Sequence, residues 1–72
     1  MKVRVTKGTL SCKHGRGSQD IGFTVLFPSE YAGNLCDSGD LEINVGDGKY
    51  VYLSLPRLEE TVVRGDLVVL EA

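Results

Sequence analysis

The sequence has no tryptophan, a single histidine and only five aromatic rings, Phe23, Phe27, Tyr31, Tyr50 and Tyr52, in 72 residues. One histidine leaves acid–base chemistry with His14 alone, and no serine or cysteine beside it forms a nucleophile motif, so no enzyme is expected. Cysteine is as scarce: Cys12 and Cys36 are too few for a disulfide scaffold, and in a reducing compartment they are expected to be free, partly buried thiols. No apolar run approaches the length of a membrane span or a signal-peptide core. The longest, Leu67 to Leu70, suits a buried strand. A cytoplasmic location without membrane contact is the expectation. The last absence is local, since residues 1–19 contain no aspartate or glutamate.

That gap makes the charge lopsided. Lys2, Arg4, Lys7, Lys13 and Arg16 give the first 19 residues a charge of +5, whereas the remainder sets Lys49, Arg57 and Arg64 against ten carboxylates, for −7. A basic segment on an acidic chain points to an anionic partner for that segment, unless folding mixes the two parts and cancels the field. The length allows one domain, 1–72, with a thin core that a partner chain would help to complete. Nine glycines favour strands and turns over helices.

Val3 and Val5 alternate with Lys2, Arg4 and Thr6 as in a half-buried strand, and Thr9 to Lys13 either continues it or returns as a hairpin arm. His14 to Asp20 is a polar, glycine-rich loop. Ile21, Phe23, Val25 and Phe27 alternate over the clearest strand, which Pro28 ends. Between Pro28 and Asp40 a short helix of one or two turns is expected, started by Pro28 or Ser29 and limited by Gly33 and Asn34. Leu41 to Val45, Gly46-Asp47-Gly48 and Tyr50 to Leu55 form the strongest hairpin signal. Arg57 to Val63 fits a helical turn or a strand, and Arg64-Gly65-Asp66 is turn chemistry ahead of a strand at Leu67 to Leu70. The expected fold is mainly β, a small barrel or swapped-hairpin barrel with at most one short helix.

Few constellations carry chemistry. Cys12 and His14 with Cys36 or Asp37 could ligate zinc, but the second closely spaced ligand pair of structural sites is missing, and neither metal nor cofactor is expected. His14-Gly-Arg-Gly-Ser18 lacks P-loop spacing and is better suited to touching a nucleic-acid backbone. The Arg-Gly-Asp tripeptide at 64–66 is expected to be a turn rather than an adhesion motif, and Glu59 and Glu60 a solvated face.

The run Gly17-Ser18, Phe23-Thr-Val-Leu-Phe-Pro28, Ser29-Glu-Tyr-Ala32, Gly39-Asp-Leu-Glu-Ile43, Asp47-Gly48 and Tyr50-Val-Tyr-Leu53 resembles the swapped-hairpin domains of AbrB-like transition-state regulators and MazE-like antitoxins. The spacing from Gly17 to Pro28 is longer than in that pattern, and residues 56–72 have no counterpart in it. The resemblance implies an intertwined homodimer that binds DNA through basic residues of its first strand and loop, here Arg4, Lys7, Lys13 and Arg16, the residues the charge count also marks. The expected function is a DNA-binding module of the regulator or antitoxin kind. The alternative is a small β-barrel interaction or inhibitory module, of accessory or phage type, using its acidic C-terminal part on a protein partner.

Overall fold

Period-two alternation builds seven strands and a single helix in a computed structural model, of which residues 1–6, 10–15 and 22–71 are described. The elements are β1 (Lys2–Val5), β2 (Leu10–Lys13), β3 (Phe23–Leu26), β4 (Ser29–Leu35), β5 (Leu41–Gly46), β6 (Lys49–Leu53), α1 (Leu55–Arg64) and β7 (Leu67–Glu71). They form one antiparallel sheet in the order β3-β2-β6-β5-β4-β1-β7. Seven strands spaced ~4.8 Å apart would make a flat sheet about 29 Å wide. The Cα extents are 26 × 25 × 21 Å, so the sheet coils around its own concave face. Val3, Val5, Leu10, Cys12, Leu26, Leu41, Ile43, Val51, Leu53 and Leu67 fill that face. The fold is mainly β with one short helix, as expected. The described ladders run from β3 to β7, and none among them closes the sheet into a barrel.

The β5–β6 hairpin forms where local turn chemistry predicts it. Asp47 and Gly48 both take positive φ, 54° and 70°, the handedness that matches strand twist, and Gly46 at 101° absorbs the adjoining bulge. The segment 57–63, compatible with helix or strand, is helical. Pro56 lies in the first turn of α1, and Gly65 ends it in the left-handed conformation with its amide on Val62 O and that of Asp66 on Thr61 O. Leu58 packs against the core and Thr61 is buried. The Arg-Gly-Asp tripeptide is thus a helix stop, and Arg64 Nη2 lies 3.3 Å from Asp66 Oδ2. Among the described residues, no helix is long and apolar enough to cross a membrane.

The strand at Leu67 to Leu70 is not buried as expected, since only Leu67 is inaccessible while Val68, Val69 and Leu70 are exposed, and two further expectations fail. The short helix between Pro28 and Asp40 is instead β4, a strand paired on both sides, with β1 and β5. Those ladders satisfy its backbone groups across two partners and outweigh a weak helix-start signal that Gly33 and Asn34 already undercut. Gly33 also suits the strand: a Cβ there would come 3.3 Å from Leu41 Cδ1, and its amide donates to Met1 O at 2.8 Å. In addition, β2 neither continues β1 nor pairs with it. It lies three strands away, beyond β6, β5 and β4. What decided this is burial: Leu10 and Cys12 complete the core beside Val51 and Leu53.

Ile43 has no solvent exposure on a central strand. Ile43→Ala should cost about 2–5 kcal/mol, comparable with the whole stability of a chain this small. Its denaturant midpoint should drop sharply, whereas that of Val63→Ala, at an 86% exposed position, should barely move.

Candidate nucleic-acid interface

Alternation turns Lys2, Arg4 and Lys13 away from the core, whereas Lys49 shares the face of buried Val51 and Leu53 and is exposed at the start of β6; the sheet sorts these cations into two groups. Lys2 and Arg4 flank buried Val3 on β1 and meet Glu30 of β4. Arg4 Nη2 donates to Glu30 Oε2 at 2.9 Å, and Lys2 Nζ lies 3.8 Å from Oε1. The Arg4 hydrogen bond, with the charges of Arg4 and Lys2, holds the Glu30 carboxyl below its ordinary range against the opposing effect of desolvation. Arg64 is likewise engaged by Glu60, at 3.1 Å, and by Asp66. Arg57 donates a long hydrogen bond, 3.4 Å, to Ser11 O. Lys13, at the end of β2, and Lys49, at the start of β6, take part in none of the ion pairs among the described residues.

Lys13 lies in aromatic surroundings. Lys13 is paired with Phe23 on one side and Tyr52 on the other, and residues directly opposite on antiparallel strands share a face. Tyr52 is in turn opposite Glu42, to which its hydroxyl donates at 2.9 Å. Strand β3 is inverted relative to the usual rule. Its buried position is Leu26, while Phe23, Val25 and Phe27 point outward, Phe23 with 61% and Phe27 with 77% of their surface exposed. The register with β2, Leu10 opposite Leu26, determines which face turns inward. Exposed rings in a row with an unengaged lysine are the composition of surfaces that bind partners rather than of solvated ones.

Around the end of these strands a cleft of about 390 Å³ is lined by His14, Thr24, Val45, Lys49, Tyr50 and Val51. His14 hydrogen-bonds Thr24 through Nε2 and Oγ1, and its amide donates to Gly22 O at 2.9 Å. A second, larger depression lies across the sheet, where Arg4, Val5, Thr6, Pro28, Ser29 and Glu30 line about 630 Å³. It contains the Arg4–Glu30 pair, so its one arginine is already engaged.

Of the four basic positions expected to form the site, Lys7 and Arg16 lie outside the described residues. Arg4 and Lys13 are not brought together: their strands are separated by β4, β5 and β6. Lys13 instead acquires Phe23 and Tyr52 as company, while Lys49 lines the cleft with His14. The outward tyrosines are visible in the alternation Tyr50-Val-Tyr-Leu53. Their proximity to Lys13 is not, since it depends on one long-range pairing. Cys12 is buried, and burial pushes its thiol up to about 11 against the opposing charge of Arg57. Both cysteines are free, and the described residues contain no group of three metal-capable side chains. No family model matches the chain, and no curated protein or solved structure is similar to it.

The Arg4–Glu30 pair gives a direct check on this sorting. Because Glu30 is held below its ordinary value, any stability from the pair is present above that value and is lost as pH falls through the lowered one. In an NMR titration of the side-chain carboxyls, Arg4→Ala should bring the Glu30 midpoint back up toward the ordinary glutamate range.

Proposed function

We propose that this chain is a DNA-binding β domain whose contact surface is the side formed by β3, β2 and β6. The observation that carries the reading is the sorting of cations: those on β1 and at the end of α1 are neutralised by carboxylates of their own chain, while Lys13, beside Phe23 and Tyr52, and Lys49, in the cleft, take part in no ion pair among the described residues. Free ammonium groups release counterions from a phosphate backbone, and aromatic faces stack with bases of any sequence. Lys13 thus keeps the role that its place in the basic segment suggests. Arg4 contributes little, because binding phosphate would mean giving up Glu30.

The test is an amide-spectrum titration with single-stranded and duplex DNA at two salt concentrations. Binding should weaken steeply with salt. Lys13→Glu and Lys49→Glu should each weaken it about tenfold and lower the salt slope by roughly one phosphate contact, while Arg4→Ala stays within about twofold. Unchanged spectra with both DNAs at low salt would exclude the function.

A second surface favours a protein contact, and the partner proposed for it is a second copy of the chain. β7 is an edge strand on which Val68, Val69 and Leu70 are all exposed, with Val62 and Val63 of α1 nearby in sequence and also exposed. Antiparallel pairing of two such strands about Val69 would set apolar residues against apolar residues without opposing charges. Sedimentation equilibrium should give a dimer mass at NMR concentrations and a monomer mass for Val69→Lys. A monomeric wild-type chain would rule this contact out.

A further inference from the structure

The cleft at the end of β2 and β6 has features that backbone contact alone does not require. Its lining includes two apolar residues, Val45 of β5 and Val51 of β6, and two ring-bearing ones, Tyr50 of β6 and His14, which follows β2. Its one permanent cation is Lys49, and no carboxylate is among the described residues lining it. Asp47 belongs to the neighbouring turn and not to the lining. At about 390 Å³ it falls within the size range of small-ligand sites.

The His14 ring is held in place from two sides. Its Nε2 is hydrogen-bonded to Thr24 Oγ1, and its Nδ1 sits over Gly22, where a Cβ would stand only 3.4 Å away. Gly22 has φ of +118°, a conformation that side-chain-bearing residues rarely adopt, so the close approach is built on a residue the backbone already requires. With Nε2 hydrogen-bonded and the ring packed over Gly22, the imidazole forms a wall of the cleft. A fixed ring, a second ring half exposed to solvent, apolar walls and a single lysine at the rim match a flat heterocycle carrying a phosphate.

We propose that this cleft holds one unpaired base of a bound strand against the rings of His14 and Tyr50, with Lys49 on its phosphate. The proposal rests on the DNA-binding reading and narrows it. A base can enter the cleft only when it is out of the duplex stack, so the domain prefers single strands or strand ends. Because the His14 wall is in place before ligand arrives, little ordering remains to oppose binding.

The experiment uses the full chain, isotopically labelled, with thymidine monophosphate and inorganic phosphate in separate titrations. Labelled oligothymidylate is compared with a duplex of equal length by fluorescence anisotropy. Thymidine monophosphate should shift His14, Thr24, Lys49, Tyr50 and Val51, and phosphate alone should shift Lys49 only. The single strand should bind more tightly than the duplex. Tyr50→Ala should weaken it about tenfold, the worth of one stacked base, and Tyr50→Phe should stay within about twofold; amide spectra away from the cleft report that both variants are folded. If phosphate reproduces the whole nucleotide pattern, the cleft is an anion site and the base proposal falls. If Tyr50→Ala binds like the wild type while Lys13→Glu does not, the cleft is wrong and DNA binding stands. If no oligonucleotide binds, both are wrong.

Discussion

Among the described residues a single ladder position, Lys13 opposite Tyr52, joins the β2–β3 hairpin to the other five strands. So short a ladder supplies little on its own, because a net backbone hydrogen bond is worth about 1 kcal/mol. What keeps the hairpin docked is burial. Leu10, Cys12 and Leu26 are nearly inaccessible only because they lie over the concave face shared with Val51 and Leu53. Everything proposed for function straddles this junction. His14 and Thr24 arrive from the hairpin side, Lys49, Tyr50 and Val51 from the other, and the cleft exists only while the apolar contact beneath it holds. Site and core are therefore one cooperative unit.

The electrostatics follow from the same topology. Segregation of charge along the chain suggests that all the early cations act together, yet a coiled sheet places β1 and β2 on opposite sides of its three central strands. One group of cations then faces carboxylates and the other faces rings. The local result differs from the formal net charge of −2 and from the +5 of the basic segment. Neither sum describes what a ligand meets, because screening limits each charge to its neighbours within about 10 Å.

What could be read from residues alone was whatever short-range chemistry decides. The β5–β6 hairpin is encoded in Asp47-Gly48, whose left-handed conformations are intrinsic to those residues. The strand at Leu67 and the turn before it are legible for the same reason. β4 was not legible, since Ser29-Glu-Tyr-Ala suits a helix start until one flank is occupied by the next strand, β5, and the other by β1, distant in sequence. At the candidate site, the presence of Lys13 in a basic segment was visible, but its aromatic neighbours were not. Alternation shows that Tyr50 and Tyr52 share a face; only the β2–β6 pairing shows which lysine they share it with.

The position of β1 has a consequence for how the molecule is made. Residues 2–5 are hydrogen-bonded between residues 29–32 and residues 67–71, so the earliest strand in the chain gains its second neighbour only from the latest. During synthesis Val3 and Val5 stay partly uncovered until β7 has left the ribosome, and closing so long a loop makes folding slow for the chain's size. Lys2 and Arg4 are interleaved with that apolar pair, the placement by which charges discourage a hydrophobic strand from aggregating. The two cations that contribute least to the proposed ligand surface thus have their use earlier, as guardians of an unfinished sheet.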